Sequence, residues 1–261
     1  MSDTPHPLAR EFPILEFDSV REAIIEPSRL IRSIDAPEHC VMCFFREVVD
    51  KLVSEGKAKS IFAFKWEDAR HVVYEIDMNG KRLAVMQAGV GAPLSAGLLE
   101  EVIPLGCHKF IACGGAGVLD KEIALGHLIV PRSAVRDEGM SYHYLPPARE
   151  VSASPEGIAA IERVLKSKEI LYIVAKTWTT DAPYRETRDK VMLRKSEGCI
   201  TVEMEAAAFF AVAQFRGVTF AQILYGGDDV SGGEWDSRGW HTRAEIRENL
   251  FWLAAEACLE L

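Results

Sequence analysis

Two carboxylates, Glu203 and Glu205, flank Met204 where the β-branched run "CITV" passes into the apolar stretch "AAAFFAVAQFRG". An acid at such a junction either answers the dipole of the helix that follows or offers its oxygens to a ligand's hydroxyls. Charge-assisted hydrogen bonds are roughly twice as strong as neutral ones. Other apolar runs also end on residues able to do chemistry. "RLAVMQA" meets Gly89-Val90-Gly91-Ala92-Pro93, "KFIAC" meets Gly114-Gly115-Ala116-Gly117, and "TFAQILYGG" meets Asp228-Asp229. Near the N-terminus, "AII" is followed by Glu26-Pro27-Ser28-Arg29. Taken singly, each glycine cluster reads equally as a turn, and Asp228 as a helix cap. On one rim, backbone donors and carboxylate acceptors would suit a ligand carrying hydroxyls and an anionic group.

Positioning these residues requires a sheet. "HVVYEIDMNGKRLAVMQ" is two alternating apolar runs joined by Asn79-Gly80, a strong hairpin signal. "KFIACGGAG" reads as a strand entering a glycine turn, with further strands in "HLIVPRSAV", "LYIVAKTW", "CITVEM" and "TFAQILYG". Helices are expected over residues 44–55, over "SAGLLEEVIPLG" and "SPEGIAAIERVLKSKE" (Ser154 as N-cap), over "RETRDKVMLRKSEG", and from about 242 to the end. The alternation implies one α/β domain whose mixed, mostly parallel central sheet is flanked by helices. Residues 1–22 read as an N-terminal arm and 23–261 as the domain. In open α/β sheets, ligands bind beyond the carboxyl ends of the strands, where the glycines and acids cluster.

Composition narrows the classes of function. A net charge of −9 opposes non-specific nucleic-acid binding, which relies on basic surface. No apolar run is long enough to span a bilayer, and the N-terminus lacks the apolar stretch of a secretory signal. Six cysteines in 261 residues read as reduced thiols of a cytoplasmic protein, and the single Cys40-x-x-Cys43 has no partner pair, so no metal is expected.

"TVEMEAAAFFAVAQFRGV", followed by a strand and Gly-Asp, resembles the signature of the nucleoside phosphorylase family. That family includes hexameric purine nucleoside phosphorylase, uridine phosphorylase and the methylthioadenosine/adenosylhomocysteine nucleosidases. The resemblance extends through "GVGAPLSAGLLEEVIPLGCHKFIACGGAGVL" and "GHLIVPRSAVRDEGMSYHY", covering roughly residue 23 to the C-terminus. It implies that Glu205 grips the vicinal hydroxyls of a ribose, with Met204 against the sugar, Glu203 close by and Gly91 also among the substrate-binding residues. A negative charge there also favours an oxocarbenium-like transition state. Asp228 matches the aspartate that assists departure of a purine, whereas the middle of the chain is nearer the uridine branch. Tyr184 could stack on the base and Arg185 could contact a carbonyl, or both could belong to a surface loop.

The resemblance implies inorganic phosphate as co-substrate and no other cofactor, with Arg29 of "EPSR" and the Gly114-Gly115 backbone holding it. The pattern is thinned here. Ala112 stands where the family has an arginine, and Gly115 where it has a hydroxyl residue. The leading expectation is phosphorolysis of a nucleoside to free base and ribose 1-phosphate. The alternatives are a phosphate-independent nucleosidase with Glu26 as general base, or a non-catalytic nucleoside-binding protein. The family also implies a homo-oligomer, dimeric or a trimer of dimers, in which His6 could reach a neighbouring site.

Overall fold

The computed structural model describes residues 6–261. Ten strands pair into one sheet: β1 (His39–Cys43), β2 (Ala58–Lys65), β3 (Arg70–Met78), β4 (Lys81–Gln87), β5 (Lys109–Val118), β6 (Leu128–Asp137), β7 (Glu150–Ser152), β8 (Tyr172–Thr180), β9 (Cys199–Glu203) and β10 (Thr219–Asp229). The helices are α1 (Pro27–Leu30), α2 (Arg46–Ser54), α3 (Ala92–Val102), α4 (Pro155–Ser167), α5 (Arg188–Ser196), α6 (Ala206–Arg216) and α7 (Ala244–Leu259).

Strands β10, β6, β8, β9 and β5 form a closed ring, because β5 also pairs with β10. From β5 the sheet continues outward through β1, β4, β3 and β2. Strand β9 runs parallel to β8 but meets β5 antiparallel, and only at Val202–Gly117 and Thr201–Val118. That corner brings the carboxyl end of β9 to the carboxyl end of β5, and so gathers the acids of two strands on one rim.

The hairpin at Asn79-Gly80 forms as its sequence requires. Both residues have positive φ (57° and 83°), and Met78 pairs with Lys81. Helix α6 buries every residue from Ala206 to Ala213, and Gly217 ends it in the left-handed conformation. Its Phe209 stacks on Phe220 of β10 at 4.6 Å between ring centroids, which locks the helix over the ring.

Several local expectations change. Gly114–Gly117 is not a turn: β5 runs straight through it, pairing Gly114 with Leu224 and Gly115 with Tyr225. Side chains are missing there because the neighbours need the space. A Cβ on Gly114 would sit 3.0 Å from the Phe44 ring, and one on Gly115 would sit 3.1 Å from Tyr225. Ser154 precedes Pro155 of α4 as expected, but its hydroxyl accepts the Phe220 N–H (2.9 Å) instead of capping the helix. The first strand is "HCVMC", lying between β4 and β5, and "AII" before Glu26 is irregular and exposed at Ile24 and Ile25.

Candidate active site

A cavity of about 360 Å³ opens at the rim where β1, β5, β9 and β10 end. Glu203, Met204, Glu205, Asp228 and Glu186 all line it. Phe44, Phe45 and Trp240 supply apolar wall, and Arg247 is its one basic side chain among the described residues.

The two acids of the opening motif have different partners. Glu203 turns inward. Its Oε2 accepts the backbone N–H groups of Glu205 (2.7 Å) and Ala206 (2.6 Å), and its Oε1 accepts the Thr179 hydroxyl (2.5 Å). It therefore serves the buried amides at the start of α6, which a helix cannot satisfy itself. Thr179 also accepts from Ala207 N–H at 3.0 Å, completing that cap. Glu205 accepts the Gly91 N–H (2.6 Å) through Oε1 and the Met204 N–H (3.3 Å) through Oε2. Burial pushes both carboxyls above their ordinary values, and the Glu203 charge pushes Glu205 further. Each carboxyl is under 10% exposed (7% and 6%), so ionised Glu205 keeps a strong demand for hydroxyl donors from a ligand.

Gly91 acts through that bond and does not line the cavity itself; its neighbour Val90 does. Of the glycine pair, Gly115 lines the cavity and Gly114 lies behind Phe44. Asp228 is at the cavity edge and its Oδ2 accepts the Trp235 indole N–H at 2.7 Å. No helix follows it, so it caps none; β10 ends at Asp229 and the chain next becomes helical at Trp240.

Tyr184 and Arg185 are both exposed, Tyr184 fully (99%), and neither lines the cavity. The tight 3-10 turn Pro183–Arg185 explains this. In such a turn, positions three apart share a face, so Pro183 and Glu186 point inward together while Tyr184 and Arg185 point away.

Arg29 and Glu26 lie elsewhere. Arg29 is exposed and pairs with Glu22. Glu26 lines a separate cavity beside Arg216, which it meets at 3.2 Å. Arg216 ends α6 and Glu205 begins it, so Glu26 and Glu205 sit at opposite ends of a helix about 16 Å long. The Ala23 amide, and then Arg216, hold the Glu26 carboxyl below its ordinary value against the effect of burial, which makes it a poor base. The true carboxyl end of β1 carries Phe44-Phe45, and these rings occupy the rim where Arg29 was expected to hold an anion. Ala112 is buried in β5, in register with Gln222 of β10. Gln222, 1% exposed, lines the cavity and leaves its side-chain oxygen without a partner among the described residues. His6 is exposed and accepts the Leu8 N–H.

Sequence reasoning missed Glu186, Gln222, Trp240 and Arg247. Arg247 sits 5.2 Å over the Phe45 ring and 5.3 Å from that of Trp240, and its guanidinium meets Glu47 at 2.6 Å. Nothing in the α7 sequence marks this arginine apart from other surface cations. The sequence signal for Phe44-Phe45 was available, as the pair directly follows an apolar run.

A strand ring with an acid-lined pocket at its rim defines an α/β protein with a candidate site for a small ligand. The chain belongs to the phosphorylase superfamily, whose family model matches residues 38–257. It is similar to a guanosine phosphorylase of Halorubrum lacusprofundi, 27% identical over 161 residues, covering 60% of this chain and 65% of that protein. A uridine phosphorylase of Thermococcus kodakarensis is 26% identical over 173 residues, covering 59% and 62%. A DeoD-type purine nucleoside phosphorylase of Alkaliphilus metalliredigens is 30% identical over 190 residues, covering 70% and 76%. With the first two, the match thus spans less than two thirds of the relative's length. The fold is that of the uridine phosphorylase of Vibrio fischeri ES114, with a TM-score of 0.72 at 22% identity over 88% of this chain and 95% of that one. It is equally that of the Toxoplasma gondii purine nucleoside phosphorylase crystallised with immucillin-H, with a TM-score of 0.74 at 21% identity over 87% and 92%.

Proposed function

We propose that the chain cleaves the N-glycosidic bond of a purine nucleoside by phosphorolysis, releasing the base and ribose 1-phosphate. The observation that carries this reading is Glu205: a buried carboxylate, fixed by two backbone amides, on the wall of a cavity whose other acids are Asp228 and Glu186. Such a carboxylate accepts the two vicinal hydroxyls of ribose. Once the ribose hydroxyls favour its ionised form, its charge also favours the cationic sugar that forms as the bond loosens. Acids at the base end favour a purine, whose ring nitrogens and edge groups can take or give protons. The relatives' names divide between purine and uridine substrates, so the choice of a purine rests on these acids. Phosphate would lie between the Arg247 guanidinium, the Gln222 amide and the β5 backbone, with no other cofactor. A homo-oligomer in the cytoplasm fits the family but is part of the proposal.

A second reading, hydrolysis, is favoured by one observation: the nucleophile side of the cavity has a single cation, already paired with Glu47. Its base is not Glu26, which faces another cavity. A panel of nucleosides incubated with the wild type and Glu205→Ala tests the common core of both readings. Base release by the wild type, lost in the variant while its folding is unchanged, is the expected result. Equal release by both would remove Glu205 from the site.

A further inference from the structure

The base end of the cavity holds two carboxyls that reach it from different elements. Asp228 comes from the end of β10, and Glu186 from the turn before α5. Their surroundings are unequal. Asp228 accepts the Trp235 indole N–H, so its carboxyl has a donor of its own within the protein. Glu186 makes no side-chain hydrogen bond among the described residues, although Pro183 and the turn geometry aim it inward.

We propose that Glu186, and not Asp228, is the acid that protonates the departing base, with Asp228 held as its anionic partner by Trp235. The proposal rests on the nucleoside-cleaving reading of this cavity. Burial, followed by the Asp228 charge, raises the Glu186 carboxyl to about 7, so a large fraction is protonated at neutral pH. Two like charges in one site resist ionising together, and the proton stays on the member without a donor of its own. Other ionisable groups around the same cavity are Glu203 and Glu205 at the β9–α6 junction, whose carboxyls burial also raises, and Arg247 on α7. Arg185 and Arg188 flank Glu186 in sequence, and the Arg188 guanidinium reaches toward Gly233.

The step balances. As the C1′–N bond breaks, its electron pair passes into the ring system of the base. The Glu186 O–H gives its proton to a ring nitrogen, and Glu186 becomes a carboxylate. A phosphate oxygen bonds to C1′, and solvent returns the proton to Glu186 in the next cycle. Asp228 gives up no proton in this step, and burial, with the Asp228 charge second, is what holds the proton on Glu186 beforehand.

The test compares wild type, Glu186→Gln and Asp228→Asn on inosine and on 4-nitrophenyl β-D-riboside, whose leaving group departs as a stable anion. Removal of general acid assistance should lower kcat for inosine by about 10²–10⁴-fold in Glu186→Gln and leave the nitrophenyl riboside within a few-fold. The wild-type inosine rate should fall above pH ~7, following the Glu186 value, and that limb should vanish in Glu186→Gln. Equal losses on both substrates, or a selective loss and vanished limb in Asp228→Asn alone, would overturn the proposal. A wild type that cleaves the nitrophenyl riboside at the same site but shows no Glu186-dependent limb on inosine also overturns it, while leaving the nucleoside-cleaving reading intact. A wild type that cleaves neither substrate sinks that reading and the proton transfer with it.

Discussion

The Gly91 backbone N–H donates to Glu205 Oε1 at 2.6 Å, joining two segments 114 residues apart in sequence. Gly91 holds φ at +92° and ψ at 140°, a region open essentially to glycine alone. The glycine after β4 is thus present for the acid before α6. Gly91→Ala should cost about 1–3 kcal/mol in backbone strain or move the amide away from Glu205. The expected result is a loss in kcat/KM on ribosides that exceeds the loss on 2′-deoxyribosides. An unchanged ratio would show that Gly91 does not position the sugar-binding group.

Glu205 should trade stability for function. Its folded-state carboxyl lies above the ordinary value of 4.5, so the folded protein holds this proton more tightly than the unfolded chain does. That contribution is complete below pH ~4.5 and is lost as pH rises through the folded value. Glu205→Gln should therefore melt near wild type at pH 5 and above it at pH 8.5, by about 2–4 °C for each kcal/mol relieved. Turnover should be lost at both pH values. Thermal melts of the two proteins across this range, with parallel rate assays, check both halves.

The phosphate cation should be Arg247. Arg29→Ala should leave activity and the phosphate KM within about twofold, since exposed ion pairs such as Arg29–Glu22 contribute little. Arg247→Met should weaken phosphate by a factor on the order of 30 or more, as for loss of one partner in a buried charge contact. Rates over a phosphate series distinguish the two variants. Equal behaviour would send the search for the anion site elsewhere.

Tyr184→Ala should change neither kcat nor KM appreciably, because the ring projects from the turn into solvent. A large rise in KM for the nucleoside would place the ring on the base after all.

The legible parts of the sequence were those where local and global signals agree. β9, α6 and β10 carry strand and helix periods that match their burial, and the acids at their junctions fall on the rim. The N-terminal part misled for a physical reason. "AII" has a stronger β signal than "HCVMC", yet the latter sits between β4 and β5, where its cysteines and methionine pack as apolar side chains. Shifting the first strand by this much moved the rim from Glu26–Arg29 to Phe44-Phe45. Glu186 was hidden by its more conspicuous neighbours Tyr184 and Arg185, and only the phase of a 3-10 turn separates them. Gln222 and Arg247 reach the cavity through tertiary packing alone, which no local pattern encodes.

Transfer of the ribosyl group from base to phosphate in this cavity is tested most directly by base release from inosine by the wild type as phosphate is raised from zero to saturation, with the sugar product identified. The expected result is a rate that climbs from near zero and saturates, with ribose 1-phosphate formed in step with hypoxanthine. A rate flat across the series, with free ribose as product, would contradict phosphorolysis and leave water as the acceptor.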